Sequence, residues 1–136
     1  MGNVEMKSTS VKESPIEGGV PAVFIYVSNL AKSVEWYGKL LGERIPDTIR
    51  EDIHIFDLGS GACLFLRAQD YLDRINVDPS TWKPNRLPVC SLMAKDKDLP
   101  QAKHFLIDAQ IEIIYEDDET INFLDPDGNV LMICSI

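Results

Sequence analysis

Phe123-Leu124-Asp125-Pro126-Asp127-Gly128-Asn129-Val130-Leu131-Met132-Ile133 decides the fold of this chain. It reads as two strands about a tight turn. Pro126 presets a turn φ, Asp127 and Gly128 supply the residues a sharp reversal needs, and apolar runs flank both sides. The same plan stands 67 positions earlier: Phe123 falls on Phe56, Gly128 on Gly61, Met132 on Phe65 and Ile133 on Leu66. Further back, Pro88 falls on Pro21 and Leu92 on Ile25 at the same offset. One spacing held without a gap from Pro21 to Leu66 points to an internal duplication, carried by spacing and pattern more than by identities.

Outward from that stretch, the order of elements repeats. Ala22 to Val27 is rich in β-branched and aromatic residues and reads as a strand. Ser28 or Asn29 caps a helix over about 30–41, with Leu30, Val34, Tyr37 and Leu41 at helical spacing and Gly42 placed to end it. Strands are expected at about 43–49, 52–58 and 61–67. The second unit has a strand at 88–94, a helix at about 98–109, and strands at 111–116, 119–124 and 129–135. The fold class is therefore α+β: two βαβββ modules, residues 21–67 and 88–136, joined by a connector at 68–87 with a helical turn near Asp70–Ile75. Residues 1–20 read as a flexible polar lead-in to a single domain spanning 21–136.

The 136 residues suffice for one domain with a proper core. With 22 acidic against 13 basic residues and a net charge of −9, nucleic acid and anionic membrane surfaces are poor partners. The surplus is compatible with a cationic ligand or simply with a soluble surface. No apolar run reaches the ~18 residues that cross a bilayer, and Met1 to Gly19 lacks the apolar stretch of a secretory signal. Three cysteines without a CxxC do not form a disulfide framework. The expected compartment is cytoplasmic.

Alternate residues of a strand face opposite sides. One set, including Val23, Ile25, Val27, Leu64, Leu66, Leu92, Leu131 and Ile133, is apolar and suits a face covered by the helices. The other set contains Phe24, Tyr26, Cys63, Phe65, Arg67, Ser91, Met93, Met132 and Cys134. Its mix of aromatic, sulfur, hydroxyl and guanidinium groups suits a ligand cavity, or else a dimer interface or second packed layer.

Val27-Ser28-Asn29-Leu30-Ala31-Lys32-Ser33-Val34-Glu35-Trp36-Tyr37-Gly38-Lys39-Leu40-Leu41-Gly42 is similar to a V-x-D-L-x-x-S-x-x-F-Y-x-x-x-L-G opening, and Phe123 to Asn129 to an F-x-D-P-D-G-N hairpin. Together they resemble the vicinal oxygen chelate superfamily of glyoxalase I, bleomycin-resistance proteins, extradiol dioxygenases and fosfomycin-resistance enzymes, over about residues 21–135. The resemblance implies paired βαβββ modules curving a mixed sheet around a cavity, often in a homodimer. It also implies a metal held by His, Glu or Gln at four places, which map onto Ala22, Phe65, Val89 and Met132. Three of these are hydrocarbon and the fourth is a thioether, poor ligands for a hard or borderline cation. No metal or other cofactor is expected.

Further candidates come from the strand faces. If 52–58 and 61–67 pair through a turn at Gly59-Ser60, then His54 faces Phe65, Asp52 faces Arg67 and Phe56 faces Cys63; a slip of one residue reverses all three. His54 is then a polar anchor or general base, or a histidine hydrogen-bonded at a sheet surface. Arg67 clamps a carboxylate or phosphate, or pairs with Asp52. Cys63 and Cys134 are soft-metal ligands or small hydrophobes. Trp36 and Tyr37 are adjacent on a helix and are not expected to face the core together. Trp82 suits a lid or rim, His104 an exposed helix surface, and Glu116 to Glu119 a solvated hairpin turn.

The reading that follows is a metal-free binder of a small organic molecule, lined by Phe24, Tyr26, His54, Phe56, Phe65, Arg67, Trp82, Ser91, Met93 and Met132, and acting as a homodimer. The alternatives are a glyoxalase-like lyase or isomerase, or a dioxygenase-type enzyme, with displaced metal ligands or a His54 base, and a protein-interaction module with this face packed shut.

Overall fold

The computed structural model describes residues 13–59 and 61–135. Most of the expected lead-in (1–12), Ser60 of the expected turn and Ile136 lie outside them. Residues 13–21 run without a helix or strand into β1 (Ala22–Val27). Then come α1 (Leu30–Leu41), β2 (Ile53–Asp57), β3 (Cys63–Ala68), β4 (Ser91–Met93), α2 (Leu99–Asp108), β5 (Ile113–Glu116), β6 (Thr120–Leu124) and β7 (Val130–Cys134). Between β3 and β4 the connector coils into 3₁₀ turns at Gln69–Ile75 and Pro79–Thr81. No helix among the described residues is long and apolar enough to cross a membrane.

Local chemistry explains the helices. Asn29 Oδ1 accepts the Lys32 N–H at 3.1 Å to start α1, and Gly42 closes it in the left-handed region at φ 69°. Asp98 accepts the Gln101 N–H at 3.0 Å and caps α2 in the same way. The strands form two sheets, β1-β3-β2 and β4-β7-β6-β5, in which β1 pairs with β3 and β4 with β7 in parallel while the other pairs are antiparallel. One continuous core joins both halves, with Ile25, Val34, Phe56 and Leu66 from the first and Leu106, Ile121, Phe123 and Leu131 from the second.

Three expectations are corrected. Residues 43–49 form no strand: Pro46 has no N–H for a ladder, and the segment instead folds back across α1. Ile45 lies so close to Gly38 that a Cβ there would collide with it, and the Glu43 N–H donates to the Gly38 carbonyl at 2.8 Å. The first sheet therefore has three strands, and β4 is shorter than the expected 88–94. Second, the β2–β3 register lies one residue from the expected one: His54 pairs with Leu66, Ile55 with Phe65 and Phe56 with Leu64. Residues 58–62 make the connection, with Leu58 N–H donating to the Ala62 carbonyl and Gly59 and Gly61 at φ 76° and 91°. This loop places Phe56 in the core at 2% exposure and leaves Ile55 at 50%. Third, Trp36 and Tyr37 both reach the core, Tyr37 fully buried and Trp36 with its ring 6.4 Å from that of Phe123.

The Asp125–Asn129 turn clasps the two modules together. Gly128 supplies φ 92° at the reversal. Buried Asp125 accepts the Asp127 and Asn129 N–H groups on Oδ1, at 2.9 and 2.8 Å, and the Tyr37 hydroxyl and Asn129 Nδ2 on Oδ2, at 2.7 and 2.9 Å. Asn129 Nδ2 also donates to the Tyr26 carbonyl at 3.1 Å, and its Oδ1 accepts the Asn85 N–H at 2.9 Å. The Ser28 hydroxyl and N–H both donate to the Asp127 carboxylate. Every link from Tyr26, Ser28 and Tyr37 crosses from the first module to the second.

Candidate functional site

The faces turned away from the helices carry the candidate residues. On the first sheet the pairing sets three rows: Ala22, Cys63 and Asp57; Phe24, Phe65 and Ile55; Tyr26, Arg67 and Ile53. The face is open at its middle row, with Phe24 at 47% and Ile55 at 50% exposure, while Tyr26, Phe65 and Arg67 are half-buried and Ile53 is buried. Phe24 and Phe65 meet edge to face, 5.1 Å between centroids at 69°. The Arg67 guanidinium sits 3.8 Å over the ring of Tyr71, which the Gln69–Ile75 turn brings back against the sheet, and lies 5.4 Å from the Phe24 ring and 5.9 Å from that of Phe65.

Arg67 and Asp52 are not partners. Asp52 takes a two-pronged contact from Arg50 at 3.0 and 2.9 Å and lies 3.6 Å from Arg74. The Arg50 hydrogen bonds hold its carboxyl below the usual range. Among the described residues no carboxylate lies within ion-pair distance of Arg67.

The second sheet places Ser91, Met132, Asn122 and Tyr115 in one row and Met93, Cys134 and Thr120 in the next. Asn122 is new to the candidate set. Its Oδ1 is buried without a hydrogen-bond partner among the described residues. The signal was available, since asparagine is depleted in strands and Asn122 stands 67 positions after Ile55. Tyr71 was hidden because a connector has no face pattern to read.

Two candidates leave the set. His54 and Phe56 lie on the helix-covered side, their rings 4.7 Å apart, and Phe56 is a core residue. Burial pulls the His54 imidazole below its ordinary value, but it does not share a row with Phe65 or Arg67. Trp82 follows the Pro79–Thr81 turn, half-buried, and among the described residues no ring contact joins it to the Phe24–Arg67 group. Ser91 and Met93 lie on β4, an edge strand, with Met93 at 76% exposure. His104 is exposed on α2, and the acidic run forms the β5–β6 turn, where Asp117 accepts the Glu119 and Thr120 N–H groups.

The four positions implied for a metal sit on or beside these faces. Ala22 lies in the row next to Phe65, Met132 shares its row with Ser91 and Asn122, and Val89 precedes β4. Their side chains do not fit a hard or borderline divalent ion. Cys63 and Cys134 belong to different sheets, and no three His, Cys, Asp or Glu side chains among the described residues converge as a metal set. Grooves lie elsewhere, including one of about 820 Å³ between the end of α1, β4 and α2.

No family model matches the chain, and no curated protein does. Solved structures match over most of its length. A glyoxalase/bleomycin resistance protein/dioxygenase from Nocardioides is 19% identical, with a TM-score of 0.67 over 89% of this chain and 85% of that one. Lactoylglutathione lyase from Agrobacterium tumefaciens is 14% identical, at 0.66 over 87% and 93%. A glyoxalase-related enzyme from Fulvimarina pelagi is 18% identical, at 0.64 over 86% and 87%. The chain has the vicinal oxygen chelate fold.

Proposed function

We propose that this vicinal oxygen chelate fold serves as a metal-free seat for a small organic molecule, held on the open face of the first sheet by Phe24, Tyr26, Phe65 and Arg67, with Tyr71 backing the guanidinium. One observation carries the reading: a cation stacked at 3.8 Å over Tyr71, beside two further rings, on an exposed face and with no carboxylate partner among the described residues. Such a group combines apolar area with a directional donor, the composition of a ligand site. A polar end held by Arg67 and a flat body against Phe24 describe the bound state. Ser91, Asn122 and Met132 offer a second, more polar surface on the other sheet.

Hydrocarbon and thioether side chains at the four implied ligand positions support binding without a metal. The placement of His54 on the helix side argues against a histidine base acting on this face. A homodimer belongs to the same reading: Leu87 and Met93, at 77% and 76% exposure near β4, leave apolar surface of the kind a second copy covers.

The test is a melting-temperature screen of chelator-treated protein against small aromatic compounds. A ligand at 100 times its Kd stabilises by about 2.7 kcal/mol. Compounds that raise the melting temperature of the wild type should lose their effect on Phe24→Ser, whose side chain is half-exposed and whose loss leaves the core intact. Hits that act equally on both proteins would place binding elsewhere, and hits that appear only with an added divalent ion would end the metal-free reading.

A further inference from the structure

We propose that the molecule taken by this face is an aromatic carboxylate, its anionic end gripped by the in-plane N–H groups of Arg67. The inference rests on the ligand-seat reading above and adds the charge class of the ligand. It runs against the overall balance of the chain, whose net charge of −9 favours cations at long range.

The local arrangement reverses that preference. Stacking on Tyr71 occupies one flat face of the guanidinium, and Phe24 and Phe65 flank it at 5.4 and 5.9 Å. A guanidinium carries five donors in its plane, and stacking uses none of them. Asp52, next to Ile53 that pairs with Arg67, is taken by Arg50 and Arg74, and among the described residues no carboxylate lies within ion-pair distance of Arg67. Two parallel N–H groups in an apolar surround match a carboxylate, which accepts both at once. Arg74 lies 5.4 Å from the same Tyr71 ring but is engaged with Asp52 at 3.6 Å, which leaves Arg67 as the arginine at this ring without a carboxylate. One such group suits a single negative charge better than a phosphate dianion, which calls for more donors. The half-exposed Phe24 ring offers a π surface to a ring attached to that carboxylate.

The experiment titrates chelator-treated, full-length protein with 2-naphthoate, 2-naphthamide and 2-naphthylmethylammonium. Binding is followed by NMR on the aromatic and arginine Nε–H resonances of the wild type and of Arg67→Gln. In the wild type, naphthoate should bind roughly tenfold or more tighter than the amide and shift the Arg67 Nε–H signal; in Arg67→Gln the preference should fall to about twofold or less. If the amide or ammonium binds the wild-type face as well as naphthoate, the carboxylate assignment fails while the ligand seat stands; this comparison needs no variant. If the naphthoate preference survives in Arg67→Gln, Arg67 is not the anion's partner and the proposal fails. If no probe perturbs Phe24, Phe65 or Arg67, the seat itself is overturned.

Discussion

The Tyr37 hydroxyl is buried and donates to Asp125 across 88 positions of sequence. Desolvation first, and the Asp125 charge second, push its pKa far above the ordinary phenol value. A phenol whose pKa is higher in the folded than in the unfolded chain adds stability that is complete below about pH 10 and falls away as the pH rises further. Urea denaturation should therefore show stability falling steeply above about pH 10, and Tyr37→Phe should flatten that fall. At neutral pH the variant should be about 1–3 kcal/mol less stable, from the lost charge-assisted hydrogen bond. A wild-type alkaline profile matched by the variant would mean that Tyr37 does not titrate with unfolding. The turn chemistry of Asp125 to Asn129 was legible from Pro126, Asp127 and Gly128. Its role as a clasp was not, because a turn motif does not say which distant hydroxyl or carbonyl will meet it.

Elements with local signals came out where the sequence placed them. The spacing predicts a helix over 30–41, and α1 spans Leu30–Leu41 because both caps, Asn29 and Gly42, are written next to it. The β2–β3 register was a different kind of question. In Ile53-His54-Ile55-Phe56 either alternate set is a plausible inner face, and the choice falls to the loop at 58–62 and the burial of one Phe against one Ile. This pair gives a direct check. Phe56→Ala should cost about 3–5 kcal/mol in urea denaturation, as for a large core ring, while Ile55→Ala, half-exposed, should cost about 1 kcal/mol or less. Reversed magnitudes would restore the register that puts His54 beside Phe65. Residues 43–49 failed as a strand for a related reason: Ile45 and Ile49 are apolar enough, but both pack against the core, Ile45 beside Gly38, and Pro46 cannot join a ladder.

Across the whole molecule the duplication gives two sheets of like plan and unlike surface. Phe65 and Met132 are counterparts, as are Ile55 and Asn122, so the same backbone position is aromatic or aliphatic in one half and sulfur-bearing or polar in the other. The fold was readable because hairpin and helix signals recur at fixed separation. The site was readable only in part. Phe24, Phe65 and Arg67 follow from strand alternation, whereas Tyr71 comes from a connector turn and His54 depends on a register set by the loop. The proposed metal-free seat rests most on the side chains at Ala22, Phe65, Val89 and Met132. Melting the chelator-treated protein with and without Zn²⁺, Ni²⁺, Mn²⁺ and Fe²⁺ puts that to the test, since a bound ion at 100 times its Kd adds about 2.7 kcal/mol, several degrees for a domain of this size. The expected result is a melting temperature that no ion raises. A clear rise with one ion, abolished by replacing His54, Cys63 or Cys134, would contradict the metal-free seat and return the chain to metal chemistry.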